Sequence, residues 1–295
     1  MRHRLLLLTA VLGAVLATPA TASQLIDRNA AGVVLAVNTK GEALLTYRAA
    51  GKLKHVLAWG AVNAIAPSRT QPQAKFRLDY AGGWGKYRRD YWRTFANACA
   101  RYDGPRLAWF VTGCRAADGS LWAVQAWQQA LPNYGLTPTP AQSVWMLYLS
   151  HWTGPLPELQ ISTNWAYGRF DHLYGTFTYG GSGVFGFAST PLGVPLDAFG
   201  RNVYVDTLDS AYGSGWRREN SLLTHTDTGA FCYGFYPHGE RPVGRGVRYR
   251  ATVQGPGVTP LVYWEGSAPG AYSRDADVLA NDRIRLLSDA LCKPN

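Results

Sequence analysis

Short runs of β-branched and aromatic residues, each closed by glycine, proline or a polar turn, recur along almost the whole of this chain. Val, Ile, Tyr, Phe and Trp suit a pleated, half-buried surface, so the pattern predicts strands joined by tight turns. Beyond Pro140 the runs cover 144–150, 159–163, 173–179, 184–187, 203–207, 222–225, 230–236, 249–253 and 261–264. That spacing is the one expected of an antiparallel sandwich or barrel. The 32 Gly and 38 aromatic residues (11 Trp, 17 Tyr, 10 Phe), against only 2 Met, point the same way.

The first part of the chain mixes two periodicities. Runs at 33–37, 43–47 and 56–59, separated by Thr39-Lys40-Gly41 and Ala50-Gly51-Lys52, read as a three-stranded meander. Tyr87, Tyr91, Phe95 and Cys99 then recur every fourth residue, with Arg88, Arg89, Arg93 and Asn97 between them, which predicts an amphipathic helix ended by Asp103-Gly104-Pro105. A hairpin follows, with arms at 107–112 and 121–127 about Ala117-Asp118-Gly119-Ser120. Pro132, Pro138 and Pro140 mark a boundary. At the far end Ser273 can cap a helix, Asp275 and Asp277 suit its positive end, and Ala280, Ile284, Leu287 and Leu291 form an apolar stripe. The expected architecture is mainly β: an α+β domain over 23–135, then an antiparallel β-sandwich domain with a C-terminal helix over 141–295.

Arg2, His3 and Arg4 precede an apolar run over 5–16, and Ala20-Thr21-Ala22 supplies a small-x-small site. This is the pattern of a cleavable export signal over 1–22. The run falls short of the ~20 residues a bilayer-spanning helix needs. The mature chain is therefore expected to lack a transmembrane segment and to be secreted or associated with the cell envelope. Four cysteines in an exported chain favour disulfides, with Cys99–Cys114 and Cys232–Cys292 preferred of the three pairings. The first pair is close in sequence, and the second would pin the C-terminal segment.

Several chemistries lack their residues. Neither Ser182 nor Ser214 sits in the G-x-S-x-G context of a nucleophile elbow. No H-E-x-x-H, C-x-x-C or calcium loop is present, so no metal or cofactor is expected. Glycoside hydrolysis needs two carboxylates across a cleft. Of the five Glu, Glu219 is the best acid, with Asp206 as its partner, but two adjacent arginines oppose the raised pKa such an acid requires. The chain therefore leans away from an enzyme.

Binding by stacking fits better. Removing Arg2 and Arg4 leaves 27 Lys and Arg against 19 Asp and Glu, a formal +8 that attracts anionic partners. Trp84, Tyr87, Trp152, Trp216, Arg217, Arg218 and His238 fall in or beside predicted loops, where rings can pack on sugar faces and arginines can bind oxyanions. The expected function is a non-catalytic secreted protein binding an anionic or carbohydrate polymer. A secreted glycan hydrolase and a protein-interaction module using a strand edge are the alternatives. Nucleic acid is a less favoured partner, since the basic residues form no long run. Nothing in the sequence specifies an oligomeric state.

Overall fold

The structure is a computed structural model describing residues 23–68, 71–128, 144–184, 203–210, 213–218, 229–235 and 246–287. The fold is mainly β, with several antiparallel sheets and one C-terminal helix. After β1 (Gln24–Arg28), the predicted meander forms from β2 (Ala31–Val37), β3 (Ala43–Ala49) and β4 (Lys52–Trp59), extended by β5 (Arg77–Asp79) into a sheet ordered β2-β3-β4-β5. Ala50 and Gly51 both take positive φ (49° and 74°), the backbone of the two-residue turn that matches strand twist between Ala49 and its partner Lys52. Alternation buries Leu35, Val37, Ala43, Leu45, Tyr47, Val56 and Ala58 on one face.

The helix expected over 87–99 does not form. The chain makes one turn, α1 (Trp84–Tyr87), and a 3-10 turn at Tyr91–Thr94. Arg88 enters the left-handed region (φ 56°) while its N–H closes on the Trp84 carbonyl, which ends the turn. Tertiary hydrogen bonds then outcompete the helix. Trp92 N–H reaches the Gly82 carbonyl, Asn97 Oδ1 accepts from the Val37 and Cys99 amides, and Ala98 N–H bonds the Val37 carbonyl. The fourth-residue repeat survives as ring packing, with Tyr87 on Tyr91 at 4.1 Å and Tyr91 on Phe95 at 5.7 Å.

A second sheet contains β6 (Ala100–Arg101), the predicted hairpin as β7 (Phe110–Arg115) and β8 (Leu121–Gln128), and β9 (Trp145–Trp152), in the order β1-β9-β8-β7-β6. Strand β9 lies beyond the proline-marked boundary, yet it pairs with β8 from Leu121↔Trp152 to Gln128↔Trp145 and with β1 on its other side. The sheet thus closes across that boundary. Cys99 and Cys114 are disulfide-bonded with Cα atoms 5.6 Å apart, tying the segment before β6 to β7. Cys232 is also in a disulfide. Cys292 and the 1–22 segment lie outside the described residues.

The remaining strands form two further sheets. One joins β10 (Glu158–Ala166), β11 (Phe170–Tyr179), β12 (Ser182–Gly183) and β15 (Ala230–Phe235); the other runs β14-β13-β16-β17, from β13 (Val203–Ser210), β14 (Gly213–Arg218), β16 (Arg248–Val253) and β17 (Val262–Ser267). Shared cores set the layering. Ile26, Trp122, Val124, Leu147 and Leu149 pack on the β2–β5 sheet, whereas Trp127, Met146 and Tyr148, on the opposite face, pack on Tyr204 and Leu261. The reverse side of that partner sheet, with Val203, Ala251 and Val253, packs on Phe177 and Phe231. The β1/β6–β9 sheet is therefore buried on both faces, and Trp122, Trp127 and Trp152 are wholly enclosed.

The predicted C-terminal helix is α2 (Arg274–Leu286), capped by Ser273 Oγ accepting from the Ala276 amide. Ala280 and Ile284 pack on Ala166 and Tyr174. Asp277 does more than complement the helix dipole: buried, it accepts from the Gly168 and Arg169 amides (3.0 and 2.8 Å) of the β10–β11 turn and from Asn281. Among the described residues, no helix is long and apolar enough to cross a membrane.

Candidate functional site

The sequence candidates scatter. Trp152 is wholly buried on β9, a core residue rather than a loop platform. Glu219 and His238 lie outside the described residues. The segment carrying Trp216, Arg217 and Arg218, expected as a loop, is the edge strand β14, because Asp206, Thr207 and Leu208 pair with Arg218, Arg217 and Trp216. Arg218 turns inward. Its guanidinium holds both oxygens of Asp206 (Nε–Oδ1 2.8 Å, Nη2–Oδ2 3.3 Å), donates to the Gln128 carbonyl, and lies 4.9 Å from the Tyr204 ring centre and 5.4 Å from that of Trp127. Arg218 is thus a buried clamp between two sheets, and Asp206 is occupied by it; neither faces a ligand or acts as a free acid.

Trp216 and Arg217 stay on the surface, on opposite faces of β14, and the fold brings to Trp216 residues the sequence did not single out. The Arg250 guanidinium stacks 4.2 Å from the Trp216 ring centre and 5.5 Å from that of Trp109. Trp109 in turn meets Trp145 edge to face at 6.3 Å. Glu265 anchors the row, accepting from Arg250 Nε (2.9 Å) and Arg248 Nη2 (3.2 Å). Trp145 is 43 % exposed, Arg217 and Arg248 are exposed, and Trp109 and Trp216 are half-buried.

Two irregularities aim this row. Trp109 holds φ at 57°, unusual for a bulky residue, and directly precedes a register shift between Phe110 and Thr112. On the other sheet, Asp209 (φ 50°) sits in the shift between Leu208, the partner of Trp216, and Ser210, and its carboxylate accepts from Gly215 N–H at 2.7 Å. β-Bulges re-aim side chains and are frequent beside functional sites. No local signal marks Trp109, Trp145, Arg250 and Glu265 as a group, since they come from separate chain segments.

Trp84 and Tyr87 belong to a separate surface. Gly82 and Gly83 (φ 64° and 102°) let the chain fold tightly; a Cβ on either would come within 2.7 Å of Trp92 or Tyr91. Beneath the turn, the Glu42 side chain is 3 % exposed and accepts from Lys86 Nζ (2.5 Å), Tyr87 Oη (2.5 Å), Asn38 Nδ2 (2.7 Å) and Tyr91 Oη (3.3 Å). Burial pushes the Glu42 carboxyl up, but the donors from Lys86, Tyr87 and Asn38 outweigh it and hold the group below the usual carboxylate range. Burial and the Glu42 acceptor raise the Tyr87 phenol. Trp84 remains 50 % exposed above this anchor.

A Ser/His/Asp constellation also exists, but its order is wrong for nucleophilic catalysis. Ser120 Oγ lies between Asp118 Oδ1 (2.6 Å) and His151 Nε2 (2.8 Å), whereas a triad needs histidine in the middle. Ser120 is 1 % exposed. His151 Nδ1 meets the Ala61 carbonyl at 2.6 Å, and burial pushes the imidazole down to about 4. Among the described residues, no group of three or more His, Cys, Asp or Glu is placed to hold a metal. Comparison with protein-family models, curated proteins and solved structures returns no match.

Proposed function

We propose that this chain is a non-catalytic binding protein of the extracytoplasmic space, secreted or held at the cell envelope, and that its ligand is a carbohydrate or anionic polymer. The observation that carries this reading is the row Trp145–Trp109–Arg250–Trp216, aimed to the surface by two bulges and flanked by Arg248 on the same sheet face. Ring faces receive the apolar faces of sugars, and the exposed Arg248 guanidinium can donate to carboxylates or other oxyanions on the same polymer. Cross-strand pairing and the Glu265 anchor hold the row rigid, so little side-chain entropy is lost on binding. The hydrolase alternative has less support, because Asp206 and Glu265 are both held by arginines.

The test is a glycan-array screen of the protein from Ser23 onward, oxidised, at physiological salt, repeated with Trp216→Ala and Trp145→Ala. Selective binding that both variants lose supports the reading; binding to no glycan sinks it. A protein-interaction module is a second reading, favoured by β2, a seven-residue edge strand without a charged side chain whose Val34 is 60 % exposed. A Val34→Lys substitution that abolishes capture of a defined protein partner would favour it.

A further inference from the structure

The surface around Glu42 has a construction that a structural ion pair alone does not need. Tyr87 and Tyr91 pack at 4.1 Å, their rings tilted by 33°, with both hydroxyls tied down to one carboxylate. Three cations surround that ring pair: Lys86 at 5.2 Å and Lys40 at 5.9 Å from the Tyr87 ring centre, and Arg89 at 5.5 Å from that of Tyr91. Lys86 also lies 4.5 Å over Trp59. Glu42 neutralises Lys86 only, leaving Lys40, Arg88 and Arg89 without an ion pair among the described residues. All three are exposed, beside exposed Trp84.

We infer that Lys40 and the segment from Trp84 to Arg89 form a second contact for the polymer proposed above, gripping its pendant oxyanions by charge, and that the polymer is an acidic polysaccharide. The inference rests on the polymer-binding reading and adds to it the ligand's charge and a second point of attachment. Single-stranded nucleic acid fits this surface less well, because stacking successive bases needs several open ring faces, while Tyr91 is buried, Tyr87 packs against it and Trp84 is the one exposed ring of the segment. A carboxylate polymer needs only the free cations. Two contacts on one chain raise overall affinity without any new interaction at either.

The two contacts differ in salt response, which lets them be tested apart. Polygalacturonate binding is measured by calorimetry at low and at physiological salt, with dextran as the neutral control. The variants are Lys40→Ala/Arg88→Ala/Arg89→Ala and, separately, Trp145→Ala/Trp216→Ala, each checked by thermal melting. The charge variant is expected to bind polygalacturonate about tenfold more weakly at low salt and to lose the part of the salt dependence that its three cations supply, with Arg248 beside the row keeping the rest. The tryptophan variant should keep that dependence. Wild-type binding by the charge variant overturns the second contact and leaves the tryptophan row untouched. Loss in the charge variant with none in the tryptophan variant upholds this contact and removes the row. No binding of polygalacturonate by the wild type, or tighter binding of a single-stranded oligonucleotide, overturns the acidic-polysaccharide assignment.

Discussion

Arg218 and Asp206 face each other across the β13–β14 register as a buried two-point ion pair, 2.8 Å from Nε to Oδ1 and 3.3 Å from Nη2 to Oδ2. The same guanidinium donates to the Gln128 carbonyl on the neighbouring sheet, so one side chain joins two layers. Removing one member of such a pair leaves the other buried and uncompensated. Arg218→Ala is expected to lower unfolding free energy by about 3–5 kcal/mol, read by urea denaturation. Exposed Arg217, on the other face of the same strand, should tolerate alanine within about 0.5 kcal/mol. Equal costs at the two positions would contradict the clamp.

His151 gives the fold an acid-sensitive point. Burial disfavours the charged ring and pushes its pKa down to about 4, from the ordinary histidine value of about 6.5. The unfolded chain therefore binds the proton first. The stability contribution is complete above about 6.5 and is lost as pH falls from there through about 4, to a maximum of about 3 kcal/mol. Asp118, held below the usual range mainly by the Ser120 hydroxyl and amide, adds a further loss at lower pH. Denaturation of His151→Gln at pH 7 and pH 4 should show a pH difference smaller than wild type by that amount.

The Cys99–Cys114 bond closes a short loop, with a sequence separation of 15 residues. In the chain-entropy account such a closure contributes about 3 kcal/mol by restricting the unfolded chain. The Cys99→Ser/Cys114→Ser double variant should lose about that much on chemical denaturation while keeping the strand signature in circular dichroism. A full loss of folding would mean that the bond organises the Tyr80–Cys99 segment as well as restraining it.

Asp277 is where α2 meets the sheet beneath it. Its carboxylate accepts the Gly168 and Arg169 amides and the Asn281 side chain, and Asn281 Oδ1 accepts from Tyr167 N–H. Asp277→Ala orphans the two turn amides and is expected to cost about 2–3 kcal/mol. Asp275→Ala, exposed in the same helical turn, should cost well under half of that. Hydrogen exchange would report the difference as early opening of α2 in the Asp277 variant only.

Strand identity was legible in the sequence because it is a local property. Period-two alternation and positive-φ turns such as Ala50-Gly51 are written within a few residues of one another, and the meander, the Phe110–Gln128 hairpin and α2 with its Ser273 cap appear where the pattern puts them. The 87–99 segment looked helical by the same local logic. Its outcome was decided by distant partners, since Glu42 takes the tyrosine hydroxyls and Val37 takes Asn97 and Ala98. Strand β14 is a similar case: its glycines and arginines read as a loop until β13 supplies a partner. Adjacency on the chain also placed Trp216, Arg217 and Arg218 together, while strand pleating sent Arg218 inward and left Arg217 outside. The aromatic row draws Trp109, Trp145, Arg250 and Glu265 from segments separated by up to about 150 residues. The sequence by itself determined the strands, the turns and the terminal helix, because backbone preference and alternation act over a few residues. Only the tertiary structure decided which aromatic side chains are core and which are surface, because that depends on which sheet face meets another layer.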